Sequence, residues 1–134
     1  MATQKITTFL MFQGQAEAAM DFYASLFPES FIKHIRRYGP GEMGTEGSVM
    51  QARFSLAGQE FMAIDSNLPH PFTFTPSMSL YVNCATEAEI DRLFEKLSEG
   101  GQVLMGLQEY PFAKRFAWCN DRFGVSWQLA LAMS

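Results

Sequence analysis

The chain has 134 residues, of which 48% are hydrophobic and 18% are charged. This composition supplies enough apolar mass for a globular core and excludes disordered and collagen-like chains. Ten Lys and Arg residues against fourteen Asp and Glu residues give a formal net charge of -4, which disfavours nucleic acid as a partner. No apolar run approaches the ~20 residues of a membrane helix, and the N-terminal stretch lacks a signal-peptide pattern. We therefore expect a cytoplasmic protein without membrane partners.

The cysteine and methionine contents limit the kinds of site to expect. Two cysteines, Cys84 and Cys119, are too few for a disulfide scaffold or a Cys-rich zinc site. We expect both to act as small buried hydrophobic residues, although Cys84 precedes a predicted helix whose N-terminus would activate a thiol mildly. Nine Met and thirteen Phe suit either a Met-rich core or an adaptable apolar cavity.

The first half of the chain predicts a strand, a helix and three further strands. The helix is indicated by apolar residues at helical spacing over residues 15–27, and Pro28 ends it. The four strands are predicted over residues 6–12, 31–38, 48–56 and 60–65.

The second half repeats this order without repeating the sequence. Its helix is predicted over residues 87–99, where Thr86 and Glu89 form a capping box and Gly100 and Gly101 supply the stop. Residues 66–76 contain three prolines and are predicted to link a first module, about 1–66, to a second, about 77–134, within one α+β domain of two βαβββ modules. The strands of the second module are predicted over residues 78–83, 102–107, 114–119 and 125–129.

Alternation along the strands separates two sheet faces. One face is uniformly apolar and is expected to pack under the two helices; it carries Phe9, Met11, Met62, Ile64, Met78, Leu80, Val82, Val125, Trp127 and Leu129. The other face mixes small polar and apolar groups, as a ligand cavity does; it carries Thr8, Leu10, Phe61, Ala63, Asp65, Ser77, Ser79, Tyr81, Ser126, Gln128 and Ala130. A partly wet dimer or barrel interior without a ligand would produce the same pattern. The ligand-binding residues we predict are Thr8, Asp65, Ser77, Ser79, Tyr81 and Gln128.

Several segments resemble a known family. They are Asp21-Phe22-Tyr23 in the first helix, together with residues 61–65, 69–76, 79–84 and 121–129, of which the last is the most specific. The chain resembles the vicinal oxygen chelate, or glyoxalase, superfamily, and within it the PhnB-like group labelled 3-demethylubiquinone-9 3-methyltransferase domains. The resemblance implies the glyoxalase fold, a mixed-sheet cup of two βαβββ modules, usually in a homodimer. It implies little about chemistry, because this fold hosts many reactions.

The resemblance also permits a test for metal and cofactor. Metal-dependent members place one ligand on each of four strands, and these positions carry over to Thr8, Ala63 or Asp65, Ser77 and Gln128. One amide and one carboxylate do not hold a catalytic metal, so we predict a metal-free cup and no cofactor. The turns that enter the two helices, residues 12–15 and 84–86, lack the glycine-rich loop of a methyl-donor site, which disfavours methyl transfer.

Three functions remain open at the level of sequence. The first is binding of a small organic molecule, planar or amphiphilic, in a metal-free cup. The second is an enzyme acting on a vicinal-oxygen or aromatic substrate by lyase, isomerase, dioxygenase or transferase chemistry, with Asp65, Tyr81 or His70 moving a proton. Asp65 could equally cap the turn formed with Ser66 and Asn67. The third is a structural or partner-binding dimer, and no clear catalytic constellation selects among the three.

Overall fold

A computed structural model describes residues 4–133. They form two compact units, the first ending at His70 and the second beginning at Pro71. The first unit contains β1 (Thr8–Phe12), α1 (Ala16–Leu26), β2 (Phe31–Arg37), β3 (Val49–Leu56) and β4 (Gln59–Asp65). The second unit contains β5 (Leu80–Cys84), α2 (Glu87–Ser98), β6 (Gln102–Tyr110), β7 (Ala113–Asn120) and β8 (Ser126–Leu131).

Each unit has one four-stranded mixed sheet and one helix. The strand orders are β1-β4-β3-β2 and β5-β8-β7-β6. In both sheets the first and last strands of the unit pair in parallel, β1 with β4 and β5 with β8, while the other neighbours are antiparallel. The predicted α+β class and its two βαβββ modules are therefore confirmed. Within residues 4–133, no helix has the length and apolarity that crossing a membrane requires.

The boundaries of α2 follow from side-chain and backbone geometry. The amide of Glu89 donates to Thr86 Oγ1 at 3.1 Å, and the amide of Ala85 donates to Glu89 Oε1 at 2.6 Å. This is the reciprocal capping box that the sequence predicts. After the helix, Gly100 adopts a φ of +73°, a conformation that favours glycine. A Cβ on Gly101 would lie 2.0 Å from the carbonyl oxygen of Asn120, so only glycine fits there.

In unit two, the sheet face covered by α2 is the predicted apolar face. The helix contacts β7 and β8, and its residues Ile90, Leu93 and Leu97 are fully buried. On β8, Trp127 and Leu129 are buried as well, and alternation places them on the side of the helix. The face assignment is correct here because the alternate residues Ser126 and Gln128 are polar.

In unit one, the predicted face assignment is wrong. The sequence predicts that Leu10, Phe61, Ala63 and Asp65 face away from α1, yet all four are buried on the side of the sheet that α1 covers. Thr8 pairs with Phe61 and shares this side. The reason is that β1 and β4 are apolar on both faces, so alternation alone does not show which face receives the helix.

The buried Asp65 carboxylate holds the start of α1. Its Oδ1 accepts hydrogen bonds from the amides of Gly14 and Ala16, both at 2.9 Å, and its Oδ2 accepts one from the amide of Val49 at 3.0 Å. Amides at a helix start have no partner within the helix, and the negative charge also favours the positive end of the helix dipole. Asp65 therefore ties α1 to β3 and β4, which is a different role from capping the turn that follows it.

Asp121 plays a comparable part in the turn between β7 and β8. Its Oδ1 accepts hydrogen bonds from the amides of Phe123 and Val125, at 2.8 and 3.1 Å. Its Oδ2 accepts one from Trp127 Nε1 at 2.9 Å. The carboxylate is 3% exposed, so each unit contains a buried carboxylate saturated by N–H donors, the arrangement that makes burial of a charge tolerable.

Both cysteines lie in the core of unit two. Cys84 ends β5 and Cys119 lies on β7. Burial raises the pKa of each thiol from 9.0 to about 11, helped by the negative charges of Glu89 near Cys84 and Asp121 near Cys119. The position of Cys84 before α2 therefore does not activate it, and both thiols remain protonated at neutral pH.

The variant Asp65→Asn tests the anchoring role of this carboxylate. An amide keeps one acceptor but turns an NH2 group toward backbone donors, so we expect a loss of about 2–3 kcal/mol in the free energy of unfolding. Urea unfolding followed by circular dichroism measures it. Asp21→Asn, an exposed position on α1, is the matched control and is expected to change stability by less than about 0.5 kcal/mol. Equal midpoints for the two variants would contradict the role.

The thiol pKa values lead to a reactivity prediction. Near pH 8, a pKa of about 11 in place of 9.0 leaves about a hundredfold less thiolate, and thiolate is the species that attacks Ellman's reagent. We expect the folded protein to react slowly at this pH and faster as the pH approaches the raised pKa. In concentrated guanidinium chloride both thiols should react at once. Rapid release of one equivalent from the folded protein would show that one thiol is activated.

Candidate functional site

The candidate site lies on the open face of unit two, which we define as the sheet face opposite α2. Strand register places four side chains in one row across this face. Tyr81 on β5 pairs with Gln128 on β8, Gln128 pairs with Trp118 on β7, and Trp118 pairs with Met105 on β6. Since neighbouring strands lie about 4.8 Å apart, the row spans roughly 14 Å and presents an amide between two aromatic rings.

Gln128 is held in a fixed position at the centre of the row. Its Nε2 donates to the hydroxyl of Ser79 at 2.9 Å, and the side chain is half-buried. Within residues 4–133, Gln128 Oε1 accepts no hydrogen bond, so this oxygen is available as an acceptor. Beside it, Tyr81 is 55% exposed and presents both its ring and its hydroxyl. The pair therefore combines an oriented polar group with an accessible aromatic surface.

Trp118 forms the other side of the site. Its Nε1 donates to the hydroxyl of Ser126 at 2.8 Å, which satisfies the indole N–H and fixes the ring on the open face. Next to it, Phe116 is buried, and the rings of Tyr110 and Phe112 pack against it with centroids 5.7 and 5.0 Å away. At the β6–β7 end of the open face, a small hydrophobic cluster thus packs against the partly buried rings of Tyr110 and Trp118.

The structure brings together three of the six predicted ligand-binding residues. Ser79, Tyr81 and Gln128 meet on this face. Ser77 lies before β5, with its hydroxyl 2.9 Å from Thr75 Oγ1. Thr8 and Asp65 lie in unit one, on the sheet face that α1 covers.

The sequence analysis did not predict Trp118 or Met105, and it placed Ser126 on the correct face without including it among the ligand-binding residues. Alternation along β7 separates Phe116, Trp118 and Asn120 from the small residues between them, a signal that was readable. What the sequence does not contain is the register of β7 against β8, which sets Trp118 beside Gln128. Register depends on the whole turn between the strands, including the Asp121 contacts described above.

The predicted metal-ligand positions are divided between the two units. Thr8 and Ala63 lie on the helix side of unit one, while Gln128 lies on the open face of unit two and Ser77 in a turn. Within residues 4–133, no three His, Cys, Asp or Glu side chains are grouped as metal ligands. By chemistry, the hydroxyls of Thr8 and Ser77, the methyl group of Ala63 and the amide of Gln128 do not provide the three or four strong ligands that a divalent metal needs.

The three residues considered for proton transfer have separate environments. Both oxygens of Asp65 already accept backbone hydrogen bonds, so it is not placed to act as a base. His70 Nε2 lies 2.8 Å from Ser66 Oγ, in the segment that follows β4. Tyr81 is on the open face of unit two. Of these three residues, Tyr81 is the one that belongs to the candidate site on the open face of unit two.

A groove of about 450 Å³ lies beside the start of α1 in unit one. Its polar side chains are largely engaged within the unit: Gln13 Nε2 donates to the carbonyl of Leu68, Ser48 Oγ to the carbonyl of Thr45, and Ser66 Oγ to the carbonyl of Leu68. The Asp65 carboxylate in its lining is saturated by amides. In the described part of the chain, no aromatic ring lines the groove, whereas the row on the open face of unit two has two.

Comparison with known proteins reveals the family. Residues 4–130 match the family described as 3-demethylubiquinone-9 3-methyltransferase. Among solved structures, the PhnB protein from Bacillus cereus is 61% identical, with a TM-score of 0.95, over 96% of this chain and 100% of that one. A protein from Pseudomonas aeruginosa is 27% identical, with a TM-score of 0.84, over 98% and 100%. No significant match occurs among curated proteins.

More distant structures share the fold. The fosfomycin resistance protein FosX from Listeria monocytogenes is 12% identical, with a TM-score of 0.64, over 99% of this chain and 96% of that one. At this identity the likeness concerns the fold alone. Together with the family match over nearly the whole chain, these findings show that the chain is a glyoxalase-fold protein and belongs to the PhnB-like family described as 3-demethylubiquinone-9 3-methyltransferase.

Proposed function

We propose that this protein binds a small, flat organic molecule on the open face of unit two, without a metal. The observation that carries the proposal is the anchored amide of Gln128 between the rings of Tyr81 and Trp118. Binding sites of this kind combine apolar and aromatic surface with a few oriented polar groups. The ligand would stack on the rings and donate a hydrogen bond to Gln128 Oε1.

An unsatisfied polar atom on the same face supports the proposal. Asn120 Oδ1 is shielded from solvent and has no hydrogen-bond partner within residues 4–133. Asn120 pairs with Ser126 one row along from Trp118, and its Nδ2 is 3.5 Å from Gln102 Oε1. Buried acceptors are usually satisfied, so a ligand group or a bridging water is expected beside this oxygen.

The proposal extends to a homodimer, the assembly that the glyoxalase-fold resemblance implies. A two-fold dimer uses the same surface patch on both protomers. Methyl transfer, which the family description names, is not part of the proposal. Thr86 caps the entry to α2 and Asp65 the entry to α1, so neither turn is the open glycine-rich loop that methyl donors use.

Native mass spectrometry of protein purified without chelators gives the first test. We expect the mass of a dimer carrying an organic molecule at a stoichiometry of up to one per protomer. A stoichiometric divalent metal would contradict the metal-free binding we propose, and a monomer would contradict the dimer.

A second measurement locates the binding surface, using 4-nitrobenzamide as a flat, neutral probe that quenches tryptophan. We expect saturable quenching that Trp118→Phe largely removes, since the other tryptophan, Trp127, is buried on the helix side. Gln128→Ala is expected to weaken the probe's affinity about fivefold, the effect of about one hydrogen bond. Gln59→Ala, at an exposed position on β4, is the matched control. Absence of saturable quenching, or equal effects of the two glutamine variants, would overturn the proposed site.

A further inference from the structure

The open face of unit one, which we define as the sheet face opposite α1, is divided into an apolar half and a cationic half. One row across it contains Phe9 on β1, Met62 on β4, Arg53 on β3 and His34 on β2. Within this row the division follows the strands: β1 and β4 present apolar side chains, and β3 and β2 present cationic or polar ones. At the next row, Glu60 on β4 and Phe31 on β2 both lie beside Ser55 and are exceptions to this division. Neither the predicted ligand-binding residues nor the site in unit two includes this face.

The apolar half is incompletely covered. Phe9 is 51% exposed, and Met11, Met62 and Ile64 are half-buried. Met11 pairs with Ile64 in the register of β1 and β4, so the four side chains form one continuous patch. Exposed apolar area of this kind gains about 25 cal/mol per Å² when it is covered, and methionine side chains adapt to the shape of what covers them.

The cationic half carries more positive charge than its single carboxylate balances. Glu60 Oε1 lies 2.8 Å from Lys33 Nζ, and Glu60 Oε2 lies 2.9 Å from Arg53 Nη1. Hydrogen bonding and charge from Lys33, with a smaller contribution from Arg53, lower the pKa of Glu60, so it remains ionised at neutral pH. One carboxylate thus serves two cations and holds the Arg53 guanidinium in place beside Met62.

Arg36 adds a further positive charge to the same face. It pairs with Gln51 in the register of β2 and β3, is exposed, and forms no ion pair within residues 4–133. The next residue, Arg37, behaves differently, because its guanidinium binds Glu17 of α1 on the other side of the sheet. Three cations against one carboxylate leave a local excess of positive charge in a chain whose net charge is -4.

We propose that the open face of unit one binds a small amphiphilic anion, an apolar body that carries one carboxylate. The carboxylate would meet the guanidinium groups of Arg53 and Arg36, whose planar donors suit carboxylate oxygens. The apolar body would lie over Met62 and Phe9. Four strands about 4.8 Å apart set the reach from β2 to β1 at roughly 14 Å, the length of a two-ring aromatic acid or a medium-chain fatty acid.

Isothermal titration calorimetry with two matched probes tests this ligand class. The probes are 2-naphthoate, which carries the carboxylate, and 2-naphthamide, which has the same body without the charge. We expect 2-naphthoate to bind at least tenfold more tightly, with an affinity that falls as salt is added, since screening weakens exposed charge pairs. The affinity for 2-naphthamide should not depend on salt.

Three variants locate the charge. Arg36→Gln removes a side chain without an ion-pair partner in the described part of the chain, so folding is not at risk, and it should weaken 2-naphthoate about five- to tenfold without changing 2-naphthamide. Arg53→Gln should do the same. Arg37→Gln is the matched control on the opposite side of the sheet and should leave both affinities unchanged.

Several outcomes would overturn the proposal. They are equal binding of the two probes, equal effects of the Arg36 and Arg37 variants, and no binding of 2-naphthoate. A further such outcome concerns the oligomeric state: the variant Met62→Asp converts a dimer to monomers, while 2-naphthoate leaves the dimer unchanged. That result would make this face a contact between two copies of the chain. The Trp118 quenching experiment measures binding to the open face of unit two. A negative result in the 2-naphthoate titration would therefore not contradict the function proposed for unit two, and a negative quenching result would not contradict the proposal for unit one.

Discussion

Each sheet of this protein has one helix, and a single helix covers one face of a four-stranded sheet. This one-sided cover is the constraint from which the rest of the architecture follows. The covered face is packed with large apolar side chains, Phe54 and Phe61 in unit one and Trp127 and Leu129 in unit two. The helix of each unit does not cover the opposite face, so that face can carry polar and charged side chains that are costly to bury in a core. All the candidate binding groups are found there.

The sequence was sufficient for the order of elements and for the capping box of α2, because these depend on local spacing. It was insufficient for the orientation of the first sheet. On β1 the run Phe9 to Phe12 is apolar at every position. The sequence of this strand therefore does not indicate which of its two faces the helix covers. Asp65 then misled the interpretation, since a carboxylate is expected on the wetter face. Burial of this carboxylate is possible because three backbone amides donate hydrogen bonds to it. No local sequence pattern predicts this set of donors, because Gly14, Ala16 and Val49 are distant from Asp65 in the sequence.

The two open faces have equivalent positions and different chemistry. By strand order and register, Phe9 corresponds to Tyr81, Met62 to Gln128 and Arg53 to Trp118. A hydrogen-bonding amide on one face is thus replaced by a thioether on the other, and an indole by a guanidinium. The common fold provides a row of four side chains across four strands. Which ligand chemistry each row recognises depends on the side chains at these positions.

The parallel pairing of first and last strands has a consequence for the order in which unit one forms. Phe9 meets Met62 only after the intervening chain has folded back, and closing a loop of that length opposes folding through lost chain entropy. Asp65, which caps α1, is separated from Gly14 by 51 positions. A chain growing from its N-terminus therefore contains the α1 segment well before its cap exists. An isolated helix of 11 residues is marginal in water, so α1 is expected to become stable only when the last strand of the unit supplies both its cap and its packing partner.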